Sequence, residues 1–361
     1  MKAEGRGLRS GMTRLLLRMQ GRLRASVHDL TYLFWECTLR CDLRCLHCGS
    51  DCTAASGSPD MPLSLFLGAL DDVARTAPPG GITVCLTGGE PALRPDLEDC
   101  IREIRRRGFP VGMVTNGWSL TPERLSRLAV RGLGALTVSL DGLRESHDRL
   151  RGRQGSFERA CRTIRAAVSS SVLSDVVTCV HPGNLDELPE LMALLRGMGV
   201  PRWRLAPIFP RGRAAGNGLL KLDRTGLVRT LELIREAREN GTMRVSFGCE
   251  GYLGEDWEGT VRDYRFRCRA GIDIGSVLAD GSISGCPSLR GDFVQGSILS
   301  CGFMDVWERG FRAMRDRRWA RTGPCASCRA WGACLGGPLH LRDGASGALL
   351  GCHFRMLDGD G

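Results

Sequence analysis

Short apolar segments alternate with longer segments of helical period between residue 31 and about residue 245. The apolar segments are rich in β-branched residues and predict six buried strands, at residues 32–36, 82–86, 111–115, 136–140, 176–180 and 203–208. The longer segments predict six helices, at residues 63–76, 94–107, 122–131, 156–169, 185–197 and 223–239. Alternation of this kind is typical of parallel strands joined by crossover helices, so the sequence predicts an α/β fold.

The pattern changes after residue 245. A glycine-rich stretch from Gly248 to Gly259 breaks the helical period, and a cysteine-rich region follows it. Two short apolar runs, 273–278 and 283–285, flank Ala279-Asp280-Gly281-Ser282, which predicts a β-hairpin. We therefore predict three parts: a basic N-terminal extension (1–30), an α/β region (31–245) and a cysteine-rich region (246–361).

Composition narrows the class of protein. The chain has 361 residues and 17 cysteines, and its longest apolar runs are too short to cross a bilayer. The run from Leu15 to Leu17 is also too short for the apolar part of a secretory signal, so a reducing cytoplasm explains the cysteines better than disulfides do. The net charge of +10 is spread over scattered arginines without a recognised RNA-binding motif, which favours a solvated basic surface and no nucleic-acid partner.

Three cysteines directly follow the first predicted strand. Cys41, Cys45 and Cys48 are separated by three residues and then by two, and no fourth cysteine completes a tetrad with the same spacing. A [4Fe–4S] cluster held by three thiolates leaves one iron free to bind a small molecule. Structural zinc is the alternative, but such sites usually close all four positions with paired Cys-x-x-Cys motifs.

At these residues the chain resembles the radical SAM superfamily, whose signature is Cys-x-x-x-Cys-x-aromatic-Cys. His47 occupies the aromatic position, which the resemblance places near the adenine of S-adenosylmethionine (SAM). The resemblance implies a partial (β/α)6 TIM-type barrel, with its chemistry at the carboxyl ends of the strands. It also implies that an electron from the cluster cleaves SAM to methionine and a 5′-deoxyadenosyl radical.

Further motifs stand at the ends of later strands. The second strand ends in Gly88-Gly89-Glu90, which in this family binds the methionyl amino group of SAM. The resemblance assigns contacts with the ribose and carboxylate of SAM to the ends of the third and fourth strands and to the arginine that follows. The residues predicted there are Thr115, Asn116, Ser139 and Arg151, with Asp141 shaping a turn.

The C-terminal cysteines resemble a SPASM domain, which houses up to two auxiliary [4Fe–4S] clusters. The matching residues are Cys268, Gly281, Cys286, Cys325, Cys328, Cys334 and Cys352. The resemblance assigns Cys325, Cys328, Cys334 and Cys352 to the second auxiliary cluster as a complete set. Zinc is the alternative for the Cys325 and Cys328 pair.

One position departs from the SPASM pattern. Pro338 stands where the pattern has a further cysteine, which the resemblance assigns to the first auxiliary cluster. That cluster would keep Cys268 and Cys286, with Cys249 as a candidate third ligand. We leave open whether it is absent, has an open iron, or recruits a ligand from His340, His353 or Cys301.

The chain looks most like SPASM enzymes that modify peptides or proteins. Residues 33–40 and 48–52 are similar to a subgroup proposed to act with a lipoprotein partner, and a flavodoxin or ferredoxin is the expected electron donor. Anaerobic sulfatase maturases carry an aspartate directly after the cysteine matched by Cys286, whereas this chain has Pro287. Haem-maturation SPASM enzymes remain an alternative, and a ferredoxin-like electron carrier is the alternative from another class.

Overall fold

The computed structural model describes residues 19–359, with residues 20, 22, 56, 58 and 242 excepted. Most of the predicted basic N-terminal extension therefore lies outside the described residues, although residues 23–27 are helical. Among the described residues no helix is long and apolar enough to span a bilayer.

A parallel sheet forms the centre of the molecule. Its strands follow the chain in order from β1 to β7, and each pairs in parallel with its neighbours. They are β1 (Tyr32–Thr38), β2 (Thr83–Gly88), β3 (Val111–Thr115), β4 (Leu133–Ser139), β5 (Leu173–Val180), β6 (Arg202–Pro207) and β7 (Arg244–Phe247). The predicted α/β partial barrel is confirmed, and all carboxyl ends of these strands lie on one side.

Helices connect the strands and cover one face of the sheet. They are α1 (Leu63–Thr76), α2 (Leu97–Arg106), α3 (Pro122–Arg131), α4 (Arg144–Arg151), α5 (Ser156–Val168), α6 (Leu188–Gly197) and α7 (Arg224–Asn240). The buried side chains of β1 contact α1, where the rings of Trp35 and Phe66 stack with centroids 4.1 Å apart. Burial of such apolar faces on both elements holds the helical layer to the sheet.

Two elements of this region differ from the sequence prediction. β7 was not predicted, because its segment Arg244–Phe247 has only four residues and two of them, Val245 and Phe247, carry the buried face. Helix α4 was not predicted either, since its segment is rich in charged residues. Four of its residues, including His147 and Arg151, are nevertheless buried.

The C-terminal region continues the same sheet at its other edge. β8 (Ile274–Val277) pairs in parallel with β1, and the predicted hairpin is confirmed because β9 (Ser282–Ser284) pairs antiparallel with β8. The remaining elements are β10 (Gly296–Ser297), α8 (Phe303–Arg309), α9 (Arg312–Arg315), α10 (Trp331–Cys334) and α11 (His353–Asp358). The division into separate domains at residues 30 and 245 stays a prediction.

Candidate active site

The three cysteines of the predicted signature lie in the loop that leaves β1 at its carboxyl end. Cys41 and Cys45 are buried, and Cys48 is half-buried. Backbone hydrogen bonds fix the loop, because the amide of Cys41 donates to the carbonyl of Thr53 at 3.0 Å and that of Cys48 donates to the carbonyl of Cys45 at 3.3 Å. The loop is thus an ordered structure that presents three thiols at the mouth of the barrel.

A residue that the sequence analysis missed, Arg213, holds this loop from the segment that follows β6. Its Nε donates to the carbonyl of Cys45 at 2.7 Å, its guanidinium also donates to Asp51 at 2.7 Å, and its amide donates to the carbonyl of Cys48 at 3.0 Å. The preceding Gly212 has a φ of +54°, and a Cβ there would lie 2.3 Å from that same carbonyl. No motif marks these two residues, so only the fold reveals their contact with the loop.

The spacing of the thiols tests whether a single zinc ion fits them. Four sulfurs around zinc at about 2.3 Å lie about 3.8 Å apart. Among the described residues, the one set of three or more potential ligands whose atoms all lie within 4.8 Å of one another is His47, Asp141 and Cys179. No cysteine trio in the described chain is so compact, which favours an iron–sulfur cluster, larger than one ion, over zinc.

Burial raises the pKa of Cys41 to about 12 and also raises the pKa of Cys45. Hydrogen bonds from Cys52 lower the pKa of Cys48, and the Cys52 amide lies 3.4 Å from the Cys48 sulfur. Thiolates are the form that binds metal, so two of the three thiols need a bound cation to ionise near neutral pH. The loop therefore fits a metal cluster chemically.

The glycines at the end of β2 permit a close approach of backbone. Gly88 has a φ of +124°, and a Cβ there would lie 2.2 Å from the carbonyl of Thr38; a Cβ on Gly89 would lie 2.1 Å from the carbonyl of Arg40. The amides of Gly89 and Glu90 donate to those two carbonyls, each at 2.8 Å. These glycines thus bring the β2 loop against the cysteine loop, a reason for glycine that the motif alone did not reveal.

Glu90 is fully buried beneath this loop and joins β2 to β3. Its carboxylate accepts hydrogen bonds from the amide of Ala92 at 3.1 Å, the hydroxyl of Thr115 at 2.8 Å and the amide of Asn116 at 2.7 Å. Burial, followed by the charge of Asp42, raises the pKa of Glu90 to about 7. Three of the predicted SAM contacts therefore meet in one buried hydrogen-bond network.

Asn116 connects that network to the cysteine loop. Its side-chain amide donates to Asp42 at 2.8 Å and lies 3.7 Å from the sulfur of Cys41. Its side-chain oxygen accepts from the amide of Trp118 at 2.7 Å. Asp42 was not singled out from the sequence, although its place directly after Cys41 is a signal that was available.

The end of β4 and helix α4 place a buried charged group beside the cysteines. Asp141 is fully buried, and the Nε of Arg151 lies 2.6 Å from its Oδ2 as an ion pair. A second nitrogen of Arg151 lies 3.7 Å from the sulfur of Cys45, and Nε2 of His47 lies 3.8 Å from Asp141. Ser139, also buried, precedes this pair at the end of the strand.

The ionisation of this group follows from its contacts. Burial alone would raise the pKa of Asp141, but the charge of Arg151, helped by His47 and His147, leaves that pKa below its usual value. Burial lowers the pKa of His47 to about 3, so its imidazole is neutral at physiological pH. A neutral ring beside the cysteine loop suits packing against an uncharged base.

The second set of C-terminal cysteines converges on one cavity. It is lined by Cys325, Cys328, Cys334 and Cys352 together with Pro338 and His353. Burial, followed by the charges of the other three thiols, raises the pKa of Cys334 to about 12. Arg342 is almost fully buried and donates to the sulfur of Cys325 at 3.0 Å. The predicted complete set is thus brought together with a cation against it.

The cysteines assigned to the first auxiliary cluster are less buried than those of the second set. Cys268 and Cys286 are half-buried, and Cys249 lies two residues beyond the end of β7. Cys249 is an exposed residue, but desolvation of its sulfur, followed by the charges of Glu250, Cys286 and Cys268, raises its pKa. The three thiols therefore interact electrostatically, while Cys301 is exposed and donates to the carbonyl of Ser297.

Comparisons with known proteins place this geometry in a family. Residues 35–195 match the model of the radical SAM superfamily. The mycofactocin maturase MftC of Mycolicibacterium smegmatis is 30% identical over 323 residues, which cover 84% of this chain and 77% of that protein. This chain belongs to the radical SAM superfamily. As a radical SAM enzyme it uses a [4Fe–4S] cluster and SAM, and its cysteine-rich C-terminal region is consistent with relatives that carry a SPASM domain.

Two further proteins resemble this chain over most of its length, one in sequence and one in fold. The AdoMet-dependent heme synthase of Methanosarcina barkeri is 27% identical over 319 residues, which cover 84% of this chain and 89% of that protein. Among solved structures, native anSMEcpe with bound AdoMet and the Cp18Cys peptide has a TM-score of 0.70 at 18% identity. That match covers 92% of this chain and 95% of the other, so the likeness of fold extends through both the barrel and the C-terminal region.

Proposed function

We propose that this radical SAM enzyme abstracts hydrogen from a peptide or protein substrate in order to install a modification. The observation that carries the proposal is the similarity to a maturase over 84% of the chain. The fold supports it as well, since anSMEcpe holds a peptide in a structure that covers nearly all of this one. The substrate would enter between the carboxyl ends of the strands and the C-terminal region.

We assign the cluster ligands and SAM contacts by position. Cys41, Cys45 and Cys48 bind the cluster, and three thiolates leave one iron open for SAM. When bound, the cluster and SAM together supply a 5′-deoxyadenosyl radical, which removes a hydrogen atom from the substrate. The residues proposed to contact SAM are His47, Gly88, Gly89, Glu90, Thr115, Asn116, Ser139 and Arg151.

Arg151 is proposed to bind the methionyl carboxylate of SAM. It is already buried against Asp141, which fixes the position of the guanidinium before SAM binds. Because Arg has five N–H donors, its Nε can keep Asp141 while the terminal nitrogens bind a second carboxylate. Preorganisation of this kind lowers the entropy that binding loses.

A tetrapyrrole is the second candidate substrate, because the M. barkeri relative is a heme synthase of similar length. Porphyrin substrates carry several propionates, and a site for them needs unpaired cations. At the barrel mouth, however, Arg151 pairs with Asp141, Arg213 with Asp51 and Arg290 with Glu36. These acids reduce the positive charge available to several propionates, while the terminal nitrogens of Arg151 stay open to the single carboxylate of SAM.

The partners and location of the enzyme are proposed from its charge and its thiols. A peptide or protein is the substrate, and a lipoprotein encoded nearby is one candidate for it. A flavodoxin or ferredoxin supplies the electron, and the basic net charge of +10 would attract such acidic donor proteins. Buried thiols without disulfide partners favour a reducing cytoplasm.

The test is a single anaerobic assay on the reconstituted full chain. The enzyme, SAM and dithionite are incubated with each short peptide encoded beside the gene, or with iron coproporphyrin III. The expected result is formation of 5′-deoxyadenosine together with a peptide two mass units lighter per cross-link or dehydrogenation. A triple variant, Cys41→Ala with Cys45→Ala and Cys48→Ala, should make no 5′-deoxyadenosine, while Cys301→Ala should behave as the wild type because its thiol is exposed and bonded to the carbonyl of Ser297.

Two results would overturn the proposal at different levels. Formation of 5′-deoxyadenosine by the triple variant would contradict the assignment of the cluster ligands. Turnover of iron coproporphyrin III, with every peptide unchanged in mass, would replace the peptide by the tetrapyrrole as substrate.

A further inference from the structure

Two arginines in the C-terminal region, Arg317 and Arg267, form no direct ion pair with a carboxylate among the described residues. Arg317 is only 6% exposed; its Nε donates to the carbonyl of Met314 at 2.6 Å, but one of its terminal nitrogens is buried without a hydrogen-bond partner. Arg267 has a buried Nε that is likewise without a partner. An unpaired buried charge is costly, so this place calls for an anion.

The sulfur of Cys268 lies beside these arginines. The side chain of Arg317 and the amide of Leu339 both hydrogen bond to it. One thiolate does not neutralise two guanidiniums. A [4Fe–4S] cluster bound by the thiolates of Cys249, Cys268 and Cys286 is an anion whose charge becomes more negative on reduction, so these cations suit its reduced form.

The structure also offers a fourth ligand near the residue that replaces the expected cysteine. His340 lies two residues after Pro338 and is buried. Its Nε2 lies 2.6 Å from Oε2 of Glu250, the residue that follows Cys249. A metal-bound histidine characteristically donates its other ring N–H to a carboxylate, which fixes its tautomer and orientation. Glu250 holds Nε2 as the protonated nitrogen, so Nδ1 is the ring nitrogen left to bind a metal once it has lost any proton that it carries.

Nδ1 of His340 is free of hydrogen bonds to the described part of the chain, and the ring packs on Phe209 with centroids 4.7 Å apart. The other residues considered for this position fit less well. His353 lines the cavity of the second cysteine set, and its Nδ1 is bound to the carbonyl of Glu250 at 2.6 Å. Cys301 is exposed and bonded to Ser297.

We propose that the first auxiliary site holds a [4Fe–4S] cluster bound by Cys249, Cys268, Cys286 and Nδ1 of His340, with Glu250 as the residue that positions the imidazole. The proposal rests on the proposed function in that it takes the C-terminal region as a SPASM-type cluster domain. The imidazole binds as a neutral ligand and keeps its Nε2 proton on the hydrogen bond to Glu250. Pro338 therefore changes the ligand type at this site without emptying it.

The test uses the full chain carrying the Cys41, Cys45 and Cys48 to Ala substitutions, so that only auxiliary clusters remain. The protein is produced with ¹⁵N-histidine, reconstituted anaerobically with ⁵⁷Fe and sulfide, and reduced. Mössbauer spectra should show the iron of two clusters, and pulsed EPR should show one strongly coupled histidine nitrogen. His340→Gln should abolish that coupling, while His353→Gln, the matched control, should retain it.

His340→Cys distinguishes loss of a ligand from misfolding. A cysteine at this position should restore the full iron content, while the nitrogen coupling stays absent. Iron for a single cluster in the parent, or a nitrogen coupling that survives in His340→Gln, would overturn the proposal. Failure of the proposed function would appear elsewhere, as absence of SAM cleavage by the wild-type chain, and these auxiliary spectra do not depend on it.

Discussion

The cysteines of the barrel and those of the C-terminal region differ in the partners of the arginines that lie beside them. Around the barrel loop the arginines are paired with acids, as in the Arg151–Asp141 and Arg213–Asp51 contacts, and Glu90 adds a further buried carboxylate. In the C-terminal region buried arginines face the thiols directly. Arg342 donates to Cys325, and Arg317 hydrogen bonds to Cys268.

This difference bears on the direction of electron flow. Positive charge and hydrogen bonds to cluster sulfurs favour the reduced state of a cluster and raise its reduction potential, whereas neighbouring carboxylates lower it. A low potential suits a cluster that must reduce SAM. A higher potential suits auxiliary clusters that take an electron from a substrate radical. The contrast in charge therefore matches a division of labour between the two regions.

The largest expected effect on the C-terminal region is that of replacing Arg342. Its guanidinium donates to the carbonyls of Gly336, Gly347 and Ala320 as well as to the sulfur of Cys325. Arg342→Met leaves those carbonyls without their donor, at a cost on the order of 3 kcal/mol of unfolding free energy. We expect loss of one cluster's iron and a clearly lower thermal midpoint, measured by iron analysis and anaerobic circular dichroism.

The matched control is Arg309→Met. Arg309 is exposed and forms an ion pair with the exposed Asp305 at 3.5 Å, so its removal should change stability by less than about 0.5 kcal/mol. Equal midpoints and iron contents for the two variants would show that Arg342 does not support the second cysteine set.

A smaller and more specific effect is expected from Arg317→Gln. The variant removes a buried positive charge beside Cys268, so the reduction potential of the first auxiliary cluster should fall, on the order of 100 mV for a charge at about 6 Å and an effective dielectric constant of about 20. Potentiometric EPR titration measures it. Arg318→Gln is the control, because Arg318 is exposed and paired with Asp316. A shift shared by both variants would assign the effect to net charge alone.

The sequence predicted the parts of the molecule that follow local rules. The alternation of apolar and helical segments predicted β1 to β6, and the cysteine spacing predicted a loop that the structure places at the barrel mouth. Arg213, Glu250 and Arg317 could not be predicted in this way. Each acts on groups that are distant in sequence, and scattered arginines in a chain with a net charge of +10 carry no local signal.

Glycine gives a second example of what the sequence alone did not predict. The Gly88-Gly89 pair was found from its motif, and its expected role was to bind the methionyl amino group of SAM. The structure shows that the carbonyls of Thr38 and Arg40 occupy the space where each Cβ would lie. The motif therefore identified the right residues, while the physical reason for glycine depended on a contact between two loops that only the folded chain brings together.

The smallest expected effect is that of Glu90→Gln, which replaces the buried carboxyl group beside the cysteine loop of the barrel. Burial raises the pKa of Glu90 from 4.5 to about 7, so the folded chain keeps a proton that the unfolded chain has lost between those pH values. Stability from this group is full below pH 4.5 and falls as pH rises through 7, by up to about 3 kcal/mol. The amide that replaces the carboxyl cannot ionise, so this loss should vanish in the variant.

The variant also weakens the acceptor for the amide of Asn116, which lowers stability by about 1 kcal/mol at every pH. The diagnostic is therefore the slope: the thermal midpoint of the wild type should fall relative to the variant between pH 5 and about 7.5. Parallel curves over that range would mean that Glu90 is ionised throughout and that the barrel side bears its full negative charge even near pH 5.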